Sequence, residues 1–377
     1  MDDSINLAVN TCGGIDMNGK ERIKRILKRL PTDRVGIYDQ FWTDTVSKWV
    51  AEGKIEKFED IADRFDFDIM ATGGINLMAD PDFVSQVIRE DEDTITYLDG
   101  NGATFRWHKK RTGVYEHIDF TVKCREDWEK HIKPKLDPTP NRLNFEAYRT
   151  GREMAEKTGR FLAFYSSNVF SHMTAISGHE HILFGMADDP EWIQDMCKTY
   201  ADLQCEMQDM LFSKEGWPDC LWYTEDLGYK LTPFMSKDMF GELLLPGYIQ
   251  TIDHCHKNDT PVVFHTCGFM EPLLPQLVEA GIDALQSMEV KAGMDTLRIF
   301  ENWGDRIALI GGMDARTLET NDKEVVKAEL DKKLPVLMQN NGYVFHSDHS
   351  ISDKVEYETF EFFMNYGKKL GTYDAKE

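Results

Sequence analysis

The stretch "PVVFHTCGFMEPLLPQLVEAGIDALQSMEV", residues 261–290, contains one full repeat of the pattern that organises the chain. It opens on a short apolar run of the kind a strand buried on both faces needs, and that run ends in His265, Cys267 and Gly268. "MEPLLPQLVEAG" follows with apolar residues at helical spacing and stops at a glycine, which ends a helix without steric cost. "DALQSMEV", residues 283–290, is the next apolar run. Strand, helix and strand in this order make a crossover unit, the connection that parallel strands require.

Working outward, six more runs share this form: "RVGIYDQ" (34–40), "FDIMATGG" (67–74), "FLAFYSSN" (161–168), "CLWYTEDLG" (220–228), "IALIGGMD" (307–314) and "YVFHSDHS" (343–350). Helical segments such as "DPEWIQDMCKTYADLQCEMQDMLFSKEG", opened by Asp-Pro-Glu, and "TNDKEVVKAELDKKLPVLMQNNG", closed by glycine, separate them. Eight strands alternating with helices close naturally into a parallel (β/α)8 barrel of the α/β class. One stretch breaks the alternation. "TITYLDGNGATFRWHKKRTGV" (94–114) reads as a hairpin about an Asp-Gly-Asn-Gly turn, and "DPTPNR" (137–142) marks a loop. Residues 73–150 are therefore expected to be an insertion after the second strand of a single domain spanning 1–377.

The 377 residues are 41% hydrophobic and 29% charged, which suits a globular protein with a large core. A formal charge of −23 would repel a phosphate backbone or an anionic lipid surface, so nucleic-acid and membrane roles are excluded. With no signal-like segment and no long apolar run, the expected location is the cytoplasm. Seven cysteines, at 12, 124, 197, 205, 220, 255 and 267, lack the spacing of a disulfide framework.

Barrel enzymes carry their chemistry at the C-terminal ends of the strands. Here those ends hold Tyr38, Asp39, Ser166, Asn168, Glu225, Asp226, His265, Cys267, Glu289, Asp314, His346, Asp348 and His349. Side chains alternate along a strand, so His265 and Cys267 face the same side with about 7 Å of backbone between them. Imidazole and thiolate together suit a borderline-soft ion such as zinc. Glu225 ends the preceding strand and His349 ends the last one, and at one mouth of the barrel they complete a candidate set of three or four ligands. Strand alternation puts His346 and Asp348 on one face and His349 on the other, which leaves open which histidine is the ligand.

From "PTDRVGIYD" through "EDLGYKLTPFMSKDMFGELLLPGY", "PVVFHTCGFMEPLLPQLVEAGIDALQSMEVKAGMD", "WGDRIALIGGMD" and "NGYVFHSDHSI", the chain resembles the uroporphyrinogen decarboxylase superfamily, which includes the cobalamin-dependent methyltransferases. The resemblance covers most of the chain, is strongest from about residue 220 to 351, and implies a distorted (β/α)8 barrel. Decarboxylases of the family carry an arginine-rich Met-Arg-Gln-Ala-Gly-Arg segment after the first strand, whereas this chain reads "YDQFWTDTVSKW" there, without arginine. The methyltransferase branch holds zinc on a His-x-Cys pair of strand five and a further ligand at the end of strand eight.

On that resemblance His265, Cys267 and His349 are the expected zinc ligands, with Glu225 as the fourth ligand or as the group displaced by substrate. Thiol-methylating members place a second cysteine where this chain has His349, so one thiolate would leave the zinc more positive and better suited to activate an ether oxygen. The implied activity is transfer of a methyl group from a small O-methylated compound, of the methoxylated aromatic class, to the cobalt(I) of a separate corrinoid protein. Asp348 is expected to orient a histidine. Tyr38, Asp39, Asn168 and Asp314 are expected to hold substrate or donate a proton at the rim, and Tyr38, Phe41, Trp42, Tyr165, Phe170 and Tyr223 are expected to stack against substrate. No Asp-x-His-x-x-Gly motif occurs, so the corrinoid must come from the partner. The competing readings are methylcobalamin:thiol methyl transfer of the coenzyme M type and porphyrinogen-type decarboxylation. Relatives of this fold include dimers.

Overall fold

The computed structural model describes residues 17–109 and 115–373; Cys12 and the end of the 94–114 segment lie outside them. Eight short parallel strands form the barrel: β1 (Gly36–Ile37), β2 (Ile69–Thr72), β7 (Phe161–Ser167), β8 (Cys220–Glu225), β9 (Val262–Thr266), β10 (Ala284–Ser287), β11 (Ala308–Gly311) and β12 (Tyr343–Phe345). Their order around the sheet is β1-β12-β11-β10-β9-β8-β7-β2. All eight coincide with the apolar runs of the sequence, and the architecture is a (β/α)8 barrel.

No ladder joins β1 to β2, and a single aspartate bridges the gap. The Asp68 N–H donates to the Ile37 carbonyl (2.8 Å), and the Asp68 carboxylate accepts the Ile37 N–H (2.7 Å). The same carboxylate takes Nη1 of Arg22 and Nη1 of Arg34, each at 2.6 Å, and all three side chains are buried. Asp33 pairs with the remaining face of the Arg22 guanidinium. A buried charge is tolerable only when paired and hydrogen-bonded, and here every partner belongs to the seam.

Between β2 and β7 an antiparallel sheet is inserted, in the order β3 (Gln86–Glu90), β4 (Thr94–Leu98), β5 (Ala103–His108) and β6 (Glu116–Phe120). β4 and β5 are the hairpin expected from the sequence. The outer strands lacked a legible pattern because β3 is exposed at every position and β6 at all but its last. Beneath the sheet, the buried Arg142 donates to the carbonyls of Met78 (2.6 Å), Lys135 (2.7 Å), Asp137 (2.8 Å) and Asn76 (3.2 Å), and so ties the two ends of the insertion together.

The helix Val169–Asp188 breaks at Gly178, whose backbone (φ 70°, ψ 163°) is open to glycine at little cost. Among the described residues no helix is long and apolar enough to cross a membrane.

Candidate metal centre at the barrel mouth

Register determines which side chains meet inside the barrel. Thr224 pairs with His265, and His265 with Gln286. Partners across a parallel ladder share a face, so even residues of β8, odd residues of β9 and even residues of β10 point into the lumen. One layer higher, this parity brings Asp226 above Thr224 and Cys267 above His265.

One ligand atom each from Asp226, His265 and Cys267 lie within 4.8 Å of one another, the one such group of three among the described residues. His265 Nε2 is 3.4 Å from Cys267 Sγ and 3.9 Å from Asp226 Oδ1, which also accepts the Cys267 N–H at 3.2 Å. On its far side, His265 Nδ1 bonds the Gln286 side-chain carbonyl. That bond leaves the Nε2 lone pair directed at Cys267 and Asp226, the arrangement in which an outer acceptor orients a ligating imidazole. Burial pushes the Cys267 thiol up, and Asp226 and Glu289 add to the effect, so a thiolate at this position calls for a cation beside it. Burial holds His265 below its usual range, which keeps the imidazole in its neutral, ligating form. One sulfur, one nitrogen and one carboxylate, with a position open to the mouth, fit a catalytic zinc.

Glu225, expected to be a ligand, has the opposite parity and points out of the barrel. Its carboxylate accepts from the Asn168 N–H (2.7 Å), the Tyr248 hydroxyl (2.8 Å) and the Ser171 N–H (3.2 Å), and burial raises its pKa to about 8. Tyr223 and Asn168 lie in the same outer layer. The Tyr223 hydroxyl accepts from Gln208 (2.9 Å), and the Asn168 amide donates to Thr251 (3.0 Å). The carboxylate brought to His265 and Cys267 is that of the adjacent Asp226.

At the end of β12, His346 is buried against Tyr38 with ring centroids 5.7 Å apart, and His349 is half-buried against Trp42 at the same separation. Neither belongs to the donor group. His346 Nδ1 bonds the Ser347 carbonyl, while its Nε2 has no partner among the described residues. Asp348 orients neither histidine through its carboxylate, which accepts the N–H groups of Val290 and Ala315, each at 2.8 Å, and thereby straps the loops after β10 and β11 to β12. Burial raises its pKa to about 6. Asp39 is buried and accepts the Ser347 hydroxyl (2.6 Å), and Asp314 caps the helix Ala315–Glu319 and pairs with Arg316 (2.7 Å).

Of the expected aromatic residues, Tyr165 lies in the lumen, stacked on Trp222 at 4.9 Å, and its hydroxyl meets those of Tyr38 (3.4 Å) and, as acceptor, the Gln40 amide (3.0 Å). Phe41 instead packs among Trp49 and Phe360 outside the barrel. Phe170 is buried near Phe234. Gln286 and Trp222 carried no signal in the sequence beyond their place in an apolar run.

Behind Cys267 two loops cross main chain to main chain. Gly268 has φ +76°, and a Cβ there would lie 2.3 Å from the carbonyl carbon of Gly228. Gly268→Ala is therefore expected to shift Cys267, to cost about 1–3 kcal/mol of backbone strain and to weaken metal binding, as thermal unfolding and zinc titration would measure. Unchanged melting and affinity would show that the crossing is slack.

The model of the family described as uroporphyrinogen decarboxylase (URO-D) matches residues 95–370, which include six of the eight barrel strands and the metal donors. The chain belongs to the uroporphyrinogen decarboxylase family. This family member shares its fold with a methyltransferase from Methanosarcina mazei, at a TM-score of 0.68 and 13% identity, over 94% of this chain and 99% of that one. A sugar phosphate isomerase/epimerase from Parabacteroides distasonis aligns over 91% of this chain and 96% of its own, at a TM-score of 0.37 and 8% identity. No curated protein sequence matches the chain.

Proposed function

We propose that the protein is a zinc-dependent methyltransferase that moves a methyl group from an O-methylated small molecule, of the methoxylated aromatic class, to the cobalt(I) of a corrinoid carried by a separate protein. The observation that carries this reading is the Asp226, His265 and Cys267 donor group at the barrel mouth. Zinc held there by one thiolate, one imidazole and one carboxylate would supply Lewis acidity to the oxygen that leaves. Gln286 keeps His265 in its ligating tautomer, and the crossing at Gly228 and Gly268 keeps Cys267 in place. The stacked Tyr165 and Trp222 close the lumen on the side of β7 and β8, offering ring faces to a planar substrate.

A porphyrinogen would bring several carboxylates to a chain of charge −23 whose "YDQFWTDTVSKW" segment offers no guanidinium, and unpaired buried anions cost several kcal/mol each. The deciding assay mixes the zinc-loaded protein, a methoxyarene and a cobalt(I) corrinoid protein, and follows formation of methylcobalt and of the phenol. Both products are expected together in equal amounts. Turnover only with methylcobalamin and a thiol would reverse the direction of transfer, and release of carbon dioxide from a porphyrinogen would overturn the reading.

A further inference from the structure

A hydroxyl also meets the sulfur of Cys267. Ser287 Oγ lies 3.8 Å from Cys267 Sγ and donates to the Asp348 carbonyl at 2.9 Å, and Ser287 is only 1% exposed, so both contacts are sealed from water. The ladder alone does not account for the first of them. Ser287 pairs with Thr266 on β9 and Gly311 on β11, and so takes the outward parity of β10, opposite to that of Gln286. What brings its hydroxyl to a lumen sulfur is the backbone. Ser287 has φ +100° and Met288 φ +57°, the one pair of successive non-glycine residues with positive φ among the described residues. L side chains adopt this region only where the surroundings impose it, and such positions gather at functional sites. The neighbouring strand makes room for the turn, since a Cβ at Gly311 would lie 2.9 Å from the Ser287 carbonyl oxygen.

A hydroxyl has one proton to give and two lone pairs with which to accept. While Cys267 is a thiol, its S–H gives to Ser287 Oγ and the Ser287 proton goes to the Asp348 carbonyl. Metal binding releases the thiol proton to solvent, and the sulfur can then only accept. A hydrogen bond to a charged acceptor is roughly twice as strong as one between neutral groups, so the Ser287 proton turns from the carbonyl to the thiolate.

We propose that Ser287 is a positioning residue of the metal centre, whose hydroxyl hydrogen-bonds the Cys267 thiolate, draws charge off the sulfur and leaves the bound metal a stronger Lewis acid. This rests on the metal-centre reading above. For a leaving oxygen it acts in the same direction as having a single thiolate in the donor set.

The test titrates Co²⁺, a coloured stand-in for zinc, into the full-length protein and into Ser287→Ala and Ser287→Gly. Both changes remove the hydroxyl, and glycine also relaxes the backbone, since φ +100° costs it little. A hydrogen bond lowers the energy of the sulfur electrons. Its loss is therefore expected to move the thiolate-to-cobalt charge-transfer band to longer wavelength in both variants. Affinity for Co²⁺ is expected to fall by about 10- to 100-fold, the range for losing an outer partner of a metal ligand. A band that keeps its wild-type wavelength in both variants would show that the hydroxyl is not bonded to sulfur. A shift in Ser287→Ala that is absent from Ser287→Gly would trace the effect to the backbone; either result overturns the inference while leaving the metal centre intact. Wild-type protein that shows no thiolate band with Co²⁺ would overturn the metal centre itself, and the proposed function with it.

Discussion

Asp226→Ala is expected to lose its zinc, while Glu225→Gln is expected to keep about one ion per chain, as a three-donor catalytic site would hold. The two carboxylates are adjacent in sequence, yet only Asp226 shares a face with His265 and Cys267. Loss of an outer partner of a metal ligand already weakens affinity by about 10- to 100-fold, so removing a ligand should exceed that range. Plasma mass spectrometry on proteins dialysed against buffered Zn²⁺ measures it. Cys267→Ala and His265→Ala should behave like Asp226→Ala, and His349→Ala should lose less than any of the three. Zinc retained in Asp226→Ala and lost in Glu225→Gln would mean that the lumen parity of β8 is the reverse of the one described.

The second large effect is expected far from the chemistry. Asp68→Ala removes the carboxylate that Arg22 and Arg34 share in the seam, leaving the buried Arg34 without its ion pair and the buried Arg22 with Asp33 alone. Breaking a buried ion pair from one side costs about 3–5 kcal/mol, and this change also deletes the acceptor of the Ile37 N–H. Chemical denaturation should show a loss of that size for Asp68→Ala and a smaller one for Asp33→Ala, whose carboxylate is partly exposed. A loss below about 1 kcal/mol for Asp68→Ala would mean that the seam is held by packing alone.

Both predictions bear on what the sequence made legible. The eight barrel strands could be read because a strand covered on both faces must be apolar throughout, and such runs stand out. His265 and Cys267 could be read because two metal-binding residue types at strand spacing share a face. The third donor could not. Glu225 and Asp226 are equally plausible carboxylates until the offset between β8 and β9 is known, and that offset is set by the whole barrel rather than by either strand. Parity also explains why Tyr223 and Asn168, promising as strand-end residues, belong to the outer layer. Asp348 was read as orienting a histidine and not as a strap, since its partners are main-chain N–H groups that no residue type announces. The strands β3 and β6 were hidden because they are almost wholly exposed, and exposed strands lack the apolar alternation that marks a half-buried one.

The seam between β1 and β2 has a consequence for how the protein is made. β1 has one ladder partner, β12, which is encoded at the far end of the chain. At a ribosomal rate of about 5–20 residues per second, the first strand waits on the order of tens of seconds for its partner to be synthesised. Through that interval the growing chain is an open sheet whose unpaired edges offer a template to the edge of another nascent chain.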